Sequence, residues 1–76
     1  MKEILESIIL NIVDDKDSVI IKEKIEEDNV IYEVKVANDD MGRVIGKQGR
    51  VAKAIRTLMK SLGAKEKKRI TIEFID

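Results

Sequence analysis

Cysteine and histidine are both missing from this chain. Without cysteine there is no disulfide, no thiolate metal site and no redox chemistry by side chains, a composition that suits the cytosol. Without histidine, and with only Ser7, Ser18, Thr57, Ser61 and Thr71 as scattered hydroxyls, the sequence offers no recognisable activated nucleophile or acid-base pair. The chain is therefore not expected to be an enzyme, and it needs neither a cofactor nor a small-molecule substrate. Long apolar runs are missing too: nothing approaches the roughly 20 residues of a membrane helix. The opening stretch MKEILESIILNIVDD mixes carboxylates into its apolar residues and lacks the tripartite pattern of a secretory signal. A cytoplasmic protein without a membrane anchor is expected. Aromatic residues number two, Tyr32 and Phe74, on strand patterns shared with Val and Ile, where they are expected to pack in the core. That is too few rings for the stacking platforms of RRM and OB-type binders. The acidic run Asp14-Asp15-Lys16-Asp17 lacks the loop glycine and distal glutamate of a calcium-binding loop, so it reads as a solvated turn and no metal is expected.

What is present fits a single small domain over residues 1–76. Apolar residues make up 43% and charged residues 39% of the chain, with Ile and Val dominating the apolar set. That is enough for one core and too little for two. The formal charge of zero hides an asymmetry. Residues 1–38 hold ten acids and five bases, and residues 39–76 five acids and ten bases. From Arg43 to Lys60 six cations (Arg43, Lys47, Arg50, Lys53, Arg56, Lys60) occur with no carboxylate. An anionic partner would be drawn there.

Periodicity divides the chain into six elements. Ile4, Leu5, Ile8, Ile12 and Val13 recur at helical spacing, predicting a helix from Lys2 to Val13 that ends at Asp14 and Asp15. Val19 to Ile25 and the strict alternation of Val30, Tyr32, Val34 and Val36 predict two strands, joined through Glu26-Glu27-Asp28-Asn29 as a hairpin. Asn38-Asp39-Asp40 offers N-caps to a short helix through Met41, Val44 and Ile45 that breaks at Gly46. Val51, Ala54, Ile55, Leu58, Met59 and Leu62 share one helical arc, predicting a helix from Arg50 to Leu62 with that stripe toward the core and Gly63 as a left-handed terminator. Arg50, Lys53, Arg56 and Lys60 occupy the other side. After the basic connection Lys65 to Arg69, alternation of Ile70, Ile72 and Phe74 predicts a third strand. The order α-β-β-α-α-β implies an α+β fold of two layers, with a three-stranded sheet and helices on one face.

The segment Gly46-Lys47-Gln48-Gly49 lies between the last two helices. A Walker loop would need glycine at position 41 and Ser or Thr after Lys47, but the chain has Met41 and Gln48. A dinucleotide fingerprint would need a third glycine where Val44 stands, and a preceding strand. Two glycines can also simply shape a tight helix-helix turn. Here cations flank the loop and a helix begins at its end, so its bare backbone suits the close approach of a phosphate chain.

Ile45-Gly46-Lys47-Gln48-Gly49-Arg50 resembles the signature loop of KH-domain RNA-binding proteins. The whole chain is similar to the type II arrangement of that domain, and in size to the stand-alone bacterial KhpA family. The resemblance implies a mixed three-stranded sheet with a parallel pair and three helices on one face. It also implies that about four nucleotides of single-stranded RNA are held along the loop and an adjacent groove. Carried over by position, Gly46, Lys47, Gln48 and Gly49 would clamp the backbone, Arg43 and Arg50 would neutralise phosphates, and Val44 and Ile45 would form the apolar side of the groove. Lys53 and Arg56 are further candidate contacts. Ala52 departs from the family pattern, which has a large aliphatic residue there, leaving either a shallower groove floor or Ile55 to supply the bulk. Low sequence specificity and a role as RNA chaperone or post-transcriptional regulator are expected. The family further implies self-association or pairing with a second KH protein of the Jag, EloR or KhpB type. Two other readings stay open: a helix-turn-helix binding duplex DNA, and a protein-interaction or dimerisation module using an uncovered apolar face.

Overall fold

The computed structural model describes residues 1–75. Helix α1 spans Lys2–Ile12, β1 Ile20–Glu26, β2 Asn29–Lys35, α2 Met41–Ile45, α3 Arg50–Lys65 and β3 Arg69–Ile75. Short 3-10 turns at Lys16–Ser18, Asn38–Asp40 and Lys47–Gly49 link them. This is the order that the periodicity predicts. Strand β2 is central, antiparallel to β1 and parallel to β3. The β1–β2 connection is the expected hairpin, closed by the Glu26–Asn29 pair, with Glu27 at φ 49°.

Alternation along β2 turns Val30, Tyr32 and Val34 to one face, where all three are buried. Leu5 and Ile9 from α1, Val44 from α2, and Ile55 and Met59 from α3 pack against them with Ile21, Ile70 and Ile72. All three helices thus cover the same face of the mixed sheet, and each fully buried Leu, Ile, Val or Met contributes on the order of 1.5–3 kcal/mol by leaving water. Burial raises the pKa of the Tyr32 phenol, and the Glu23 carboxylate adds to the shift. Because β2 and β3 are parallel, the chain must cross over between them. The crossover consists of α2 and α3, and the glycine loop is their junction.

Three local expectations are corrected by the structure. The buried stripe of α3 is Ala52, Ile55, Met59 and Gly63, whereas Ala54 is exposed and Leu58 is 47% exposed. Small residues let the helix settle close to the sheet, so the seam lies to one side of the centre of the apolar arc. Gly63 is not a left-handed terminator. It is helical, and a Cβ there would lie 2.8 Å from the Lys68 carbonyl oxygen and clash with the Ile70 side chain, so close approach is what demands glycine. The helix instead ends with Lys67 in the left-handed region at φ 58°, and the Lys67 and Lys68 N–H groups donate back to the carbonyls of Ala64 and Gly63 at 3.1 and 2.9 Å.

The third correction concerns Asn38-Asp39-Asp40, which makes no side-chain cap on α2. Asp40 is 2% exposed, and its carboxylate accepts from the backbone N–H groups of Asp14 at 3.1 Å and Asp15 at 2.9 Å. It holds the link after α1 against α2. Lys16 secures the same corner by donating to the carbonyls of Leu10 and Val13.

Candidate nucleic-acid interface

The loop begins where α2 stops. Val44 anchors the helix in the core, and Gly46 follows with φ 78° and ψ 173°, a conformation that side chains resist. A Cβ on Gly46 would also meet the Val51 side chain and lie 2.9 Å from the Val51 backbone nitrogen. Glycine is therefore required twice at this position. Gln48 and Gly49 both lie in the left-handed region, at φ 56° and 72°, and the Gly49 N–H donates to the Gly46 carbonyl at 3.1 Å. Nothing lies near a Cβ built on Gly49. Lys47 and Gln48 project into solvent from this bare turn, and Arg50 opens α3 immediately after it. Positive charge at this point is set toward any anion that approaches the α3 amino end.

The expected site residues divide into three groups. Gly46, Lys47, Gln48, Gly49 and Arg50 come together at the loop, where the Arg50 guanidinium donates to the Gln48 amide oxygen at 3.3 Å. Ile45 is half-buried beside them. Lys53 and Arg56 are exposed farther along α3. Val44 stands apart: it is completely buried, so it supports the loop from beneath and cannot line a groove. The sequence pattern could not separate it from Ile45, because both are apolar residues at the end of one short helix. Ala52 and Ile55 are both buried, and Ile55 is part of the core cluster, so its bulk serves helix-sheet packing.

Arg43 is engaged elsewhere. Its guanidinium lies 3.0 Å from the Asp14 carboxylate and 3.4 Å from that of Asp40. The Asp40 pKa is lowered chiefly by the Asp15 and then the Asp14 backbone N–H, against its own burial, with Arg43 adding to the effect. Arg43 thus steadies α2, the helix that carries the loop. Lys47, Arg50, Lys53, Arg56 and Lys60 form no ion pair among the described residues. Their charge is directed to solvent.

Two further groups belong to this region and were missed by sequence reasoning. Arg56 donates through Nε to the Ile72 carbonyl at 3.2 Å, and its guanidinium lies over the Phe74 ring, 5.4 Å from the centroid. A backbone carbonyl carries no sequence signal, and Phe74 reads as core because it alternates with Ile70 and Ile72. Concave surface lies elsewhere, notably between the β1–β2 turn and the α3–β3 connection, lined by Glu26, Glu27, Asp28, Lys67, Lys68 and Arg69. Among the described residues there is no cluster of potential metal ligands, and no helix is long and apolar enough to cross a membrane. The loop region offers an open cationic surface.

Known proteins are similar to this chain from end to end. The RNA-binding protein KhpA of Clostridium acetobutylicum is 52% identical over 75 residues, covering 99% of this chain and 100% of the relative. Proteins of the same name from Caldanaerobacter subterraneus and Listeria monocytogenes are 49% and 45% identical, over 99% and 100% of this chain and 100% of each relative. No solved structure matches the chain. Residues 2–74 match the family described as KhpA/KhpB, KH domain, and with the type II order, the parallel β2–β3 pair and the loop between α2 and α3 in place, the chain belongs to that family.

Proposed function

We propose that this protein binds single-stranded RNA without catalysing a reaction, in the cytoplasm, as an RNA chaperone or post-transcriptional regulator of low sequence specificity. The observation that carries the reading is the loop: Gly46 and Gly49 carry no side chain and take positive φ values, leaving the backbone bare beside Lys47, which has no ion-pair partner among the described residues. A sugar-phosphate chain can lie against such a turn, and the α3 amino end and Arg50 make the contact favourable. Bases would enter between α3 and the outer edge of β3, past Ile45, Lys53 and Arg56. The name of the relatives, RNA-binding protein KhpA, supports the same assignment. Under this reading Arg43 acts mainly by holding α2.

Replacing Lys47 and Gln48 together with Asp tests the proposal directly. Both are exposed loop residues, so each change should alter folding stability by no more than about 0.5 kcal/mol. Binding of a labelled single-stranded RNA, read by fluorescence anisotropy, should nearly vanish, because two carboxylates then face the phosphates. For the parent protein, log affinity against log salt should fall with a slope of roughly −1.5 to −3, as two to four neutralised phosphates require. A double variant that melts like the parent and binds RNA within a factor of two would refute the loop mechanism. Duplex DNA competing as well as single-stranded RNA would favour the helix-turn-helix reading instead.

A second role can coexist with the first. Leu58 on α3 is 47% exposed and Ile4 on α1 43% exposed, which favours a contact with a second copy or with another KH protein of the Jag, EloR or KhpB type.

A further inference from the structure

The three helices cover one face of the sheet and leave the other open. Val30, Tyr32 and Val34 turn toward the helices, so the alternate residues of β2 turn away, and the strand register carries that open face onto β1 and β3. On it Ile20 lies in one cross-strand row with Ile75, Lys22 with Glu73, and Glu26 with Arg69, each pair flanking a residue of β2. Ile20 is 50% and Ile75 37% exposed, and both line a shallow depression at one end of the face. Lys22, Glu26, Arg69 and Glu73 are exposed, and they form no ion pair among the described residues. Each of these β1 residues thus has its chemical complement at the same level on β3, two strand spacings or ~10 Å away.

A second copy supplies the complement that each chain cannot reach in itself. A two-fold axis running along β2 lays one sheet on another, keeps the strand direction and the rows, and exchanges β1 with β3. Ile20 then faces Ile75 of the second copy, Lys22 faces Glu73 and Glu26 faces Arg69, and by symmetry each contact occurs twice. An axis across the strands would instead set Lys22 against Lys24 and both isoleucines against the charged row at the other end. On the favoured axis Ile31 meets its own copy, Glu33 is offset by the Lys24 amine at 3.8 Å, and Lys35 stands at the end of β2, where its amine can reach water. Packed sheets cross at about 30°, which displaces facing residues near the centre by only ~3 Å, less than the ~6.8 Å between rows.

We infer that the open face of the sheet is a self-association surface on which a second copy docks face to face, β1 over β3. The inference is independent of the RNA reading and of the contact through Leu58 and Ile4, which lie on the opposite layer. A chain using both faces builds assemblies larger than a dimer. Three strands of seven residues make a small contact, so the association belongs to the weak class and is sensitive to salt.

The chain has no cysteine, so a single introduced thiol reports on this face alone. Asn29→Cys alters an exposed position of β2 close to the axis, within reach of a short bismaleimide from its own copy across sheets about 10 Å apart. In low salt, covalent dimer should form from this variant at least about tenfold faster than when Lys22→Glu or Glu73→Lys is added, since either change sets like charges face to face. Adding both restores opposite charges in exchanged places, and the rate should recover to within about threefold of the first variant. All the changes are at exposed positions, and thermal melts like the parent's confirm the fold. Equal rates in all four proteins, or a double exchange as slow as the single ones, would overturn the inference and leave the face to solvent or to a different partner.

Discussion

At the residue scale, the two glycines of the loop are not equivalent. Gly46 needs both its left-handed φ and the space that the Val51 side chain and backbone leave, while Gly49 needs only its φ. Gly49→Ala should therefore cost about 1–2 kcal/mol, the penalty of a side chain in the left-handed region. Gly46→Ala adds overpacking against Val51 and should cost about 2–4 kcal/mol in total, with the order of the two read from urea denaturation. Asp40 gives a pH-dependent prediction. Its folded pKa lies below the ordinary aspartate value, so its contribution is complete above about pH 4 and is lost as pH falls through the lower, folded value. Asp40→Asn should melt below the parent at neutral pH, and the gap should close in acid. A gap that stayed constant with pH would mean that the ionised carboxylate is not what holds the Asp14-Asp15 link.

At the element scale, α2 and α3 carry glycines with opposite consequences. Gly42 lies in α2, exposed, and a Cβ at this position would meet nothing within 4 Å, so Gly42→Ala should stabilise the protein by about 0.5–1 kcal/mol through helix propensity alone. Gly63→Ala should destabilise it by about 1–3 kcal/mol, because the new Cβ meets the Lys68 carbonyl and the Ile70 side chain. Thermal melts of the two variants check both signs. The existence and order of all six elements were legible from periodicity, since β2 alternates without interruption and α3 is strongly amphipathic. The buried stripe of α3 was not, because hydrophobicity counts Leu58 as core and gives no weight to Ala52 and Gly63. Fitting a helix onto a sheet rewards small residues at the seam, and that preference appears only when the two surfaces are brought together.

At the scale of the whole molecule, exposed apolar side chains remain on both layers, Ile20, Ile25 and Ile75 on the strands among them. The cations from Lys47 to Lys60 gather on the loop and α3, and Leu58 and Ile4 remain exposed on the helical layer. A homodimer at micromolar concentration or above is expected from that uncovered apolar surface. Light scattering checks it: a mass that stays at 8.7 kDa at high concentration would exclude self-association through Leu58 and Ile4.

By itself the sequence determined the α-β-β-α-α-β order, the cationic stretch and the place of the Gly46-Lys47-Gln48-Gly49 loop between two helices. These are local or compositional properties, set by residue type and spacing along the chain. Only the tertiary structure decided that Val44 lies beneath the loop, that Arg43 joins Asp14 and Asp40, and that Arg56 bridges α3 to the Ile72 carbonyl and the Phe74 ring. Each of these depends on groups distant in sequence, or on a backbone atom that every residue possesses. Which partner a charged side chain meets is set by how the elements pack, and periodicity along one element carries no information about its neighbours.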